Sequence, residues 1–482
     1  MILAPEGRLA SASVVAAGLL ACFTVGVFAV RSTTEGLILI GALGCLVVYL
    51  TGPHRMVWIA LFLAFASLPA ALYVGKVIGP VSIYLHQAAV VLAIVFLMSR
   101  AGLHFSRFVL PLVFALAVTF FAAAGTMAGH DPVDVAREAS FLYETVAGCV
   151  LAVVIIRTGI VSQAVRVMAL VLWFSAGMIL ASSVTGLKLA GRAESLRSET
   201  GSEAIRILTA TQAPALVVLT ALVAASIVGR ARLSTWLMLG PPALAISLLS
   251  FSRHMLIAVA VGAGVAFLTS IGWAAMRRSA TLVAAGVVTL AVGVPLSLFL
   301  LHGAGPGEWL AEQVQAFSHR VLGGVSASAL SVDSSTIARL HETVSLRTAI
   351  EDSPLLGHGL GFAYQLPFGE AGSFTATLGT TYAHNFYLWW LAKAGVVGMI
   401  AFALFALPPV LSALRTATVP AKISASVLLA LLTICVVNPL PLEPASSLVL
   451  GMAVGAAMAF GRPGRTSPPA TSTPSPVAHT SG

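Results

Sequence analysis

Apolar residues run along this chain in long blocks separated by short polar turns, from near residue 10 to near residue 461. A helix that crosses a membrane needs about 20 predominantly apolar residues. Fourteen blocks approach that length, near 10–30, 35–51, 56–73, 82–99, 108–127, 139–156, 163–184, 211–229, 234–250, 254–272, 280–301, 385–411, 421–438 and 445–461. They predict an all-α fold, a polytopic integral membrane helix bundle of about 12–14 transmembrane helices with one large extracytoplasmic loop.

Two segments interrupt the blocks, 185–210 and 302–384. In the longer one, PGEWLAEQVQAFSHRV (306–321) sets Trp309, Leu310, Val314, Phe317 and Val321 at helical spacing. SSTIARLHETVSLRTAIEDSP (334–354) offers a serine cap, then Ile337, Leu340, Val344 and Ile350, and stops at Pro354. Both read as helices lying over the bundle. LLGHGLGFAYQ (355–365) follows as an irregular, tightly turning run. It is no dinucleotide fingerprint, because no strand precedes it and no helix opens there. The organisation expected is membrane helices over 1–184, a second membrane region with the large loop over 185–465, and a disordered Pro/Ser/Thr-rich cytoplasmic tail over 466–482.

Composition agrees with the blocks. Of 482 residues, 58% are hydrophobic and 9% charged, and the mean hydropathy is +0.99, far from a soluble domain. The cysteines Cys22, Cys45, Cys149 and Cys435 lie in apolar segments, which suggests neither disulfides nor a metal site. The first block has no convincing small-residue cleavage site and reads as a retained first helix.

Charge sets the expected orientation. With the N-terminus in the cytoplasm, 14 basic residues, Arg277, Arg278, Arg415 and Lys422 among them, fall on inner turns with a single acid, Glu6. Outside lie 11 basic and 16 acidic residues. This is the positive-inside pattern, so the net charge of +9 reflects topology and points to no nucleic acid.

In that orientation the spans that begin near 211, 254 and 385 present their N-termini outward. A helix N-terminus carries unpaired N–H groups and about half a positive charge, a natural anion site. Arg206, Arg253 and His384 stand at these three ends. Together they suit a buried diphosphate, since arginine forks match phosphate oxygens. Plainer roles compete: interface anchoring for Arg253, pairing of Arg206 with Glu203, Glu199 or a lipid phosphate, helix capping by His384 and Asn385. Lys393, nine residues beyond His384, reads as a pairing residue, with Glu144 as the expected partner. No His-x-x-x-His or His-Glu-x-x-His pair occurs, so neither metal nor cofactor is expected. Asp131 and Asp134 read as a helix start ahead of Arg137.

Three stretches resemble the O-antigen ligases and polymerases of the bacterial envelope. AHNFYLWWLAKAGVVG (383–398) is similar to the family's His-Asn-x-x-Leu segment after the large outer loop. ARLHETVSLRTAIEDSPLLGHGLGFAY (338–364) resembles its loop signature, with Arg339 and Pro354 at the family spacing. LLSFSRHMLIAVAVG (248–262) resembles its Ser-Arg turn. Lys393 departs from the family's usual Glu, Thr343 stands where an aromatic is common, and the Arg206 region matches poorly.

The resemblance implies transfer of a glycan from undecaprenyl diphosphate to an acceptor hydroxyl, lipid A–core or another glycan, at the periplasmic face of the bacterial inner (cytoplasmic) membrane. Both termini would be cytoplasmic. Arg253, Arg206 and Arg339 would hold the diphosphate. His384, kept neutral by the helix N-terminus, would be the general base, with Asn385 and Tyr382 orienting it or holding sugar hydroxyls. Transfer would invert the anomeric carbon without a metal. A repeat-unit polymerase uses the same parts and stays open. A transporter with no chemistry is the non-enzyme alternative, although neither internal repeats nor broken helices are evident in the sequence.

Overall fold

A computed structural model of the chain describes residues 26, 43–44, 47, 52, 55–70, 75–78, 81–98, 101, 108–196, 204–229, 231–303, 305–323, 334–367 and 378–461. The expected spans at 10–30 and 35–51 fall almost wholly outside these residues, as does the 466–482 tail. Nine helices precede the large loop among the described residues: α1 (Arg55–Phe65), α2 (Leu85–Met98), α3 (Val109–Met127), α4 (Pro132–Arg157), α5 (Val161–Thr185), α6 (Gln212–Val228), α7 (Leu233–Leu249), α8 (His254–Leu268) and α9 (Trp273–Leu300). The loop carries α10 (Gly305–Phe317) and α11 (Ser334–Asp352), and α12 (Phe386–Arg415), α13 (Val419–Ile434) and α14 (Ser446–Gly461) follow it. α3, α4, α5, α9 and α12 are long and apolar enough to cross a membrane by length and composition, and the other apolar helices are shorter. The all-α polytopic architecture read from the apolar blocks is the observed one.

Local departures have local causes. α1 ends at Phe65, short of the 56–73 block, because Ser67 donates its N–H to Ser175 Oγ (2.9 Å) and Pro69 bridges Leu189. Two short antiparallel hairpins also appear: β1 (Gly75–Ile78) with β2 (Val81–Tyr84), and β3 (Arg192–Ser195) with β4 (Ile205–Leu208). Four-residue strands are too short to print a periodicity that stands out from a polar loop. Asp131 caps α4 as expected, accepting from Val133 N–H at 2.9 Å.

The most extensive helix pairing joins α4 to α14. α14 carries a Gly451-x-x-x-Gly455 pair, and a Cβ at either position would strike a carbonyl oxygen of α4, Thr145 or Cys149. Without a hydrophobic force between helices in lipid, such close backbone approach is what packs them. Consecutive helices joined by short turns run in opposite directions. The N-termini of α4, α6, α8, α12 and α14 therefore share one end of the bundle, the loop end, with α10 and α11 beside them.

α12 is broken, which corrects the expectation of unbroken spans. Gly395 has φ 59° and ψ −166°, a region essentially restricted to glycine. The break is filled by the loop. Val396 and Val397 donate to the Pro354 and Leu355 carbonyls at 2.9 and 3.1 Å, and the carbonyls of Ala392 and Lys393 accept from His358 and Gly359 at 3.1 and 2.8 Å. Leu360 N–H adds a bond to the Phe121 carbonyl of α3 (3.0 Å). Irregular backbone at membrane depth survives only where protein satisfies it, and here the glycine-rich run does so.

Candidate active site

His384 sits one residue before the cap of α12. Asn385 is that cap, its side chain accepting from Tyr387 N–H (3.1 Å) and Leu388 N–H (3.2 Å), so the plainer reading of Asn385 holds. His384 does more. Its Nδ1 lies 2.9 Å from Glu342 Oε2 and its backbone N–H donates to Glu342 Oε1 at 2.5 Å. The His384 side chain is 31% exposed and that of Glu342 is 9% exposed. A buried carboxylate on Nδ1 selects the tautomer whose Nε2 accepts, the arrangement a general base needs.

Glu342 was not singled out in the sequence. The spacing of Leu340 and Val344 gave the opposite face of α11 as the packed one, yet these residues are 65% and 57% exposed while Glu342, Leu346 and Ala349 are buried. The Glu342 bonds to His384 and the seat of Leu346 and Ala349 in the main core decide the docking of α11 against α12.

Tyr382 stands edge-on to the His384 ring, centroids 5.6 Å apart. Its hydroxyl donates to Glu443 Oε1 at 3.1 Å, in the turn between α13 and α14. Burial raises the Glu443 carboxyl above its ordinary value, opposed by the Tyr382 and Ser446 hydrogen bonds and by the charges of His384 and Arg206. Burial likewise drives the Tyr382 hydroxyl well up, and the Glu443 charge adds to it. Glu443 is a second residue the sequence did not signal. Its turn is also strained, since Ala445 holds φ 63°.

The arginines gather at the same end. Arg206 lies on β4, about a turn ahead of α6. It donates through Nε to the Ser250 carbonyl (3.0 Å), through Nη1 to Glu194 Oε2 (3.0 Å) and through Nη2 to Ser252 Oγ (3.5 Å). Its acidic partner is thus Glu194 across the β3–β4 hairpin, whereas Glu199 and Glu203 fall outside the described residues. Burial lowers the Arg206 pKa, with the nearby Arg320 charge adding to it. Arg253 occupies the N-cap position of α8 and donates through Nε to the Arg320 carbonyl at 3.0 Å. Beneath them, Phe251 (φ 47°) packs with Leu196, Ala204, Ala316 and Val321, one small core joining hairpin, Ser-Arg turn and loop. Arg339, on the exposed side of α11, puts its charge on Tyr382. One neighbourhood therefore holds His384, Tyr382, Arg206 and Arg339, with Arg253 linked to it through Arg320.

Lys393 is no part of that group. It is fully buried, its Nζ donating to Glu138 Oε1 (2.8 Å) and to the Phe362 carbonyl (2.6 Å). Glu138 Oε2 accepts from Gly361 N–H at 2.6 Å. Glu144, the partner expected from the sequence, instead pairs with His86 Nε2 at 3.0 Å. Six residues of helix turn about 600°, so Glu138 and Glu144 face different neighbours. Lys393 and Glu138 lock the glycine-rich run into the break of α12.

Residues 233–403 match the family model described as O-Antigen ligase. This region is of the O-antigen ligase family. No curated protein matches the chain. The ligase region takes in Arg253, Arg339, Glu342, Tyr382, His384 and Lys393, and leaves outside it three residues that complete their surroundings, Glu138, Arg206 and Glu443. The O-antigen ligase match over 233–403 and the apolar helices around it support a membrane glycan ligase- or polymerase-type function.

Proposed function

We propose that the chain moves a glycan from undecaprenyl diphosphate to an acceptor hydroxyl at the periplasmic face of the inner membrane, as an O-antigen ligase does. The observation that carries this reading is the His384–Glu342 pair, 2.9 Å apart, in one neighbourhood with the arginines. The acceptor oxygen attacks the anomeric carbon while its proton passes to His384 Nε2. The bond from that carbon to the diphosphate oxygen breaks, and Arg253, Arg206 and Arg339 take up the charge that develops on the leaving group. Arginines neutralise the diphosphate here, so no metal is required, and direct attack inverts the anomeric centre.

A polymerase needs two lipid-diphosphate sites. Arg320 adds its charge to the Arg206 group, so the cations concentrate at one place, which favours the ligase reading. Deleting the gene and separating envelope glycans on a gel tests it. Long chains stranded on the lipid carrier are expected, whereas single repeats on the normal acceptor mean a polymerase. Purified His384→Ala protein in liposomes is expected to fold and insert but transfer no glycan. Near-normal transfer would remove His384 from the mechanism.

A further inference from the structure

At the end of the bundle away from His384, the chain turns from α8 to α9 through the sequence TSIGWAAMRRS (269–279). Gly272 precedes α9 and offers no side-chain cap. The N–H groups of the first helical turn, on Trp273, Ala274 and Ala275, therefore have no intrahelical acceptor. All three residues line an open cavity of about 490 Å³. Ser270 lines it too, and its Oγ is buried without a hydrogen-bond partner among the described residues.

Two cations complete the wall, Arg278 and Lys422, and no acidic residue lines it. Arg278 Nη1 donates to the Val228 carbonyl at 3.1 Å, which fixes the guanidinium at the C-terminus of α6. Among the described residues its Nε and Nη2 donate to nothing, and the Lys422 ammonium has neither a hydrogen-bond nor an ion-pair partner. Backbone N–H groups at a helix start and two cations with donors to offer line one space. That donor set fits a phosphate group.

The rim tells where the phosphate comes from. Leu268, Ile271 and Trp273 are 66%, 72% and 75% exposed, and α9 is an apolar candidate span with none of its apolar window buried. An exposed tryptophan at the start of a span belongs at the headgroup level of a bilayer, and a basic pocket between helices there is suited to an anionic headgroup. We infer that this cavity binds the phosphate of an anionic phospholipid, with the acyl chains lying along the apolar start of α9.

Native mass spectrometry of the full chain, with phosphatidylglycerol or phosphatidylcholine added to the detergent, tests the assignment. The wild type is expected to retain phosphatidylglycerol in preference, and Arg278→Gln/Lys422→Gln to lose that preference by on the order of tenfold. Lys422→Gln alone leaves the α6 cap intact and is expected to lose part of it. Arg277→Gln removes the same charge one residue outside the lining and is expected to change nothing. Equal retention of the two lipids by the wild type, or an unchanged preference in the double variant, overturns the site. Thermal stabilisation by inorganic phosphate that needs Arg278 and Lys422, without any lipid preference, overturns the lipid assignment in favour of a soluble anion.

Discussion

Glu342 receives two donors from a single residue, the backbone N–H and Nδ1 of His384, and only a carboxylate can accept both. A glutamine has one acceptor oxygen, so its NH₂ group would face one of these donors. Glu342→Gln is therefore expected to lower kcat by about a hundredfold or more, with little change in KM for the lipid-linked donor. An unaltered kcat would show that the pair orients nothing in the reaction. Glu443 behaves differently. Its carboxyl is held above its ordinary pKa in the folded protein, so folding takes up a proton, and stability falls as pH rises above about 4.5 through the folded value. The Glu443→Gln variant would keep an acceptor for the Tyr382 hydroxyl and bind no proton at that position. Thermal melts of Glu443→Gln and wild type should agree at the acid end and diverge in favour of the variant toward pH 7. Parallel curves would contradict the raised pKa. At this scale His384 and Asn385 were legible, being polar residues at the mouth of an apolar span. Glu342 and Glu443 were not, because they arrive from 42 residues before His384 and 59 after it, on surfaces that only tertiary docking brings together.

The elements inherit their positions from a break that periodicity cannot see. Gly395 looks like any glycine in an apolar run, and the apolar pattern continues smoothly across it. What ends the helix there is the competing backbone of residues 354–360, which takes over four hydrogen bonds of α12. The glycine-rich run is irregular, as its composition predicts. Its destination inside the bundle was hidden, because the three glycines that permit it, Gly357, Gly359 and Gly361, show their positive φ angles only in place. Lys393 and Glu138 then clamp the run. Both are buried, so removing one leaves an uncompensated charge at a cost of about 3–5 kcal/mol. Lys393→Met should be strongly destabilised, and Lys393→Met/Glu138→Gln less so, because the stranded carboxylate is gone. Fluorescence-detected size-exclusion melts of the two variants make the comparison. If the double variant is the less stable, the pair is not the clamp.

For the whole molecule, the alternation of helices and the sorting of charge lead to one topology by separate routes. The alternation puts His384, Arg206 and Arg253 at one end, and Arg157, Arg278, Arg415 and Lys422 at the other. Basic residues on short turns are retained on the cytoplasmic side, so the second end should face the cytoplasm and the loop over 302–384 the outside. Neither route alone is sufficient, because alternation is silent about direction and charge counts are silent about which ends coincide. On this proposed topology the diphosphate site at His384 would meet the outer leaflet, and the headgroup site inferred at Arg278 the inner one. Single cysteines in a background lacking Cys22, Cys45, Cys149 and Cys435 decide the matter. A membrane-impermeant thiol reagent applied to intact spheroplasts should label Leu330→Cys and spare Arg277→Cys, and disruption of the membrane should make Arg277→Cys reactive. Labelling of position 277 from outside, with position 330 protected, would invert the bundle and move the glycan chemistry to the cytoplasmic face.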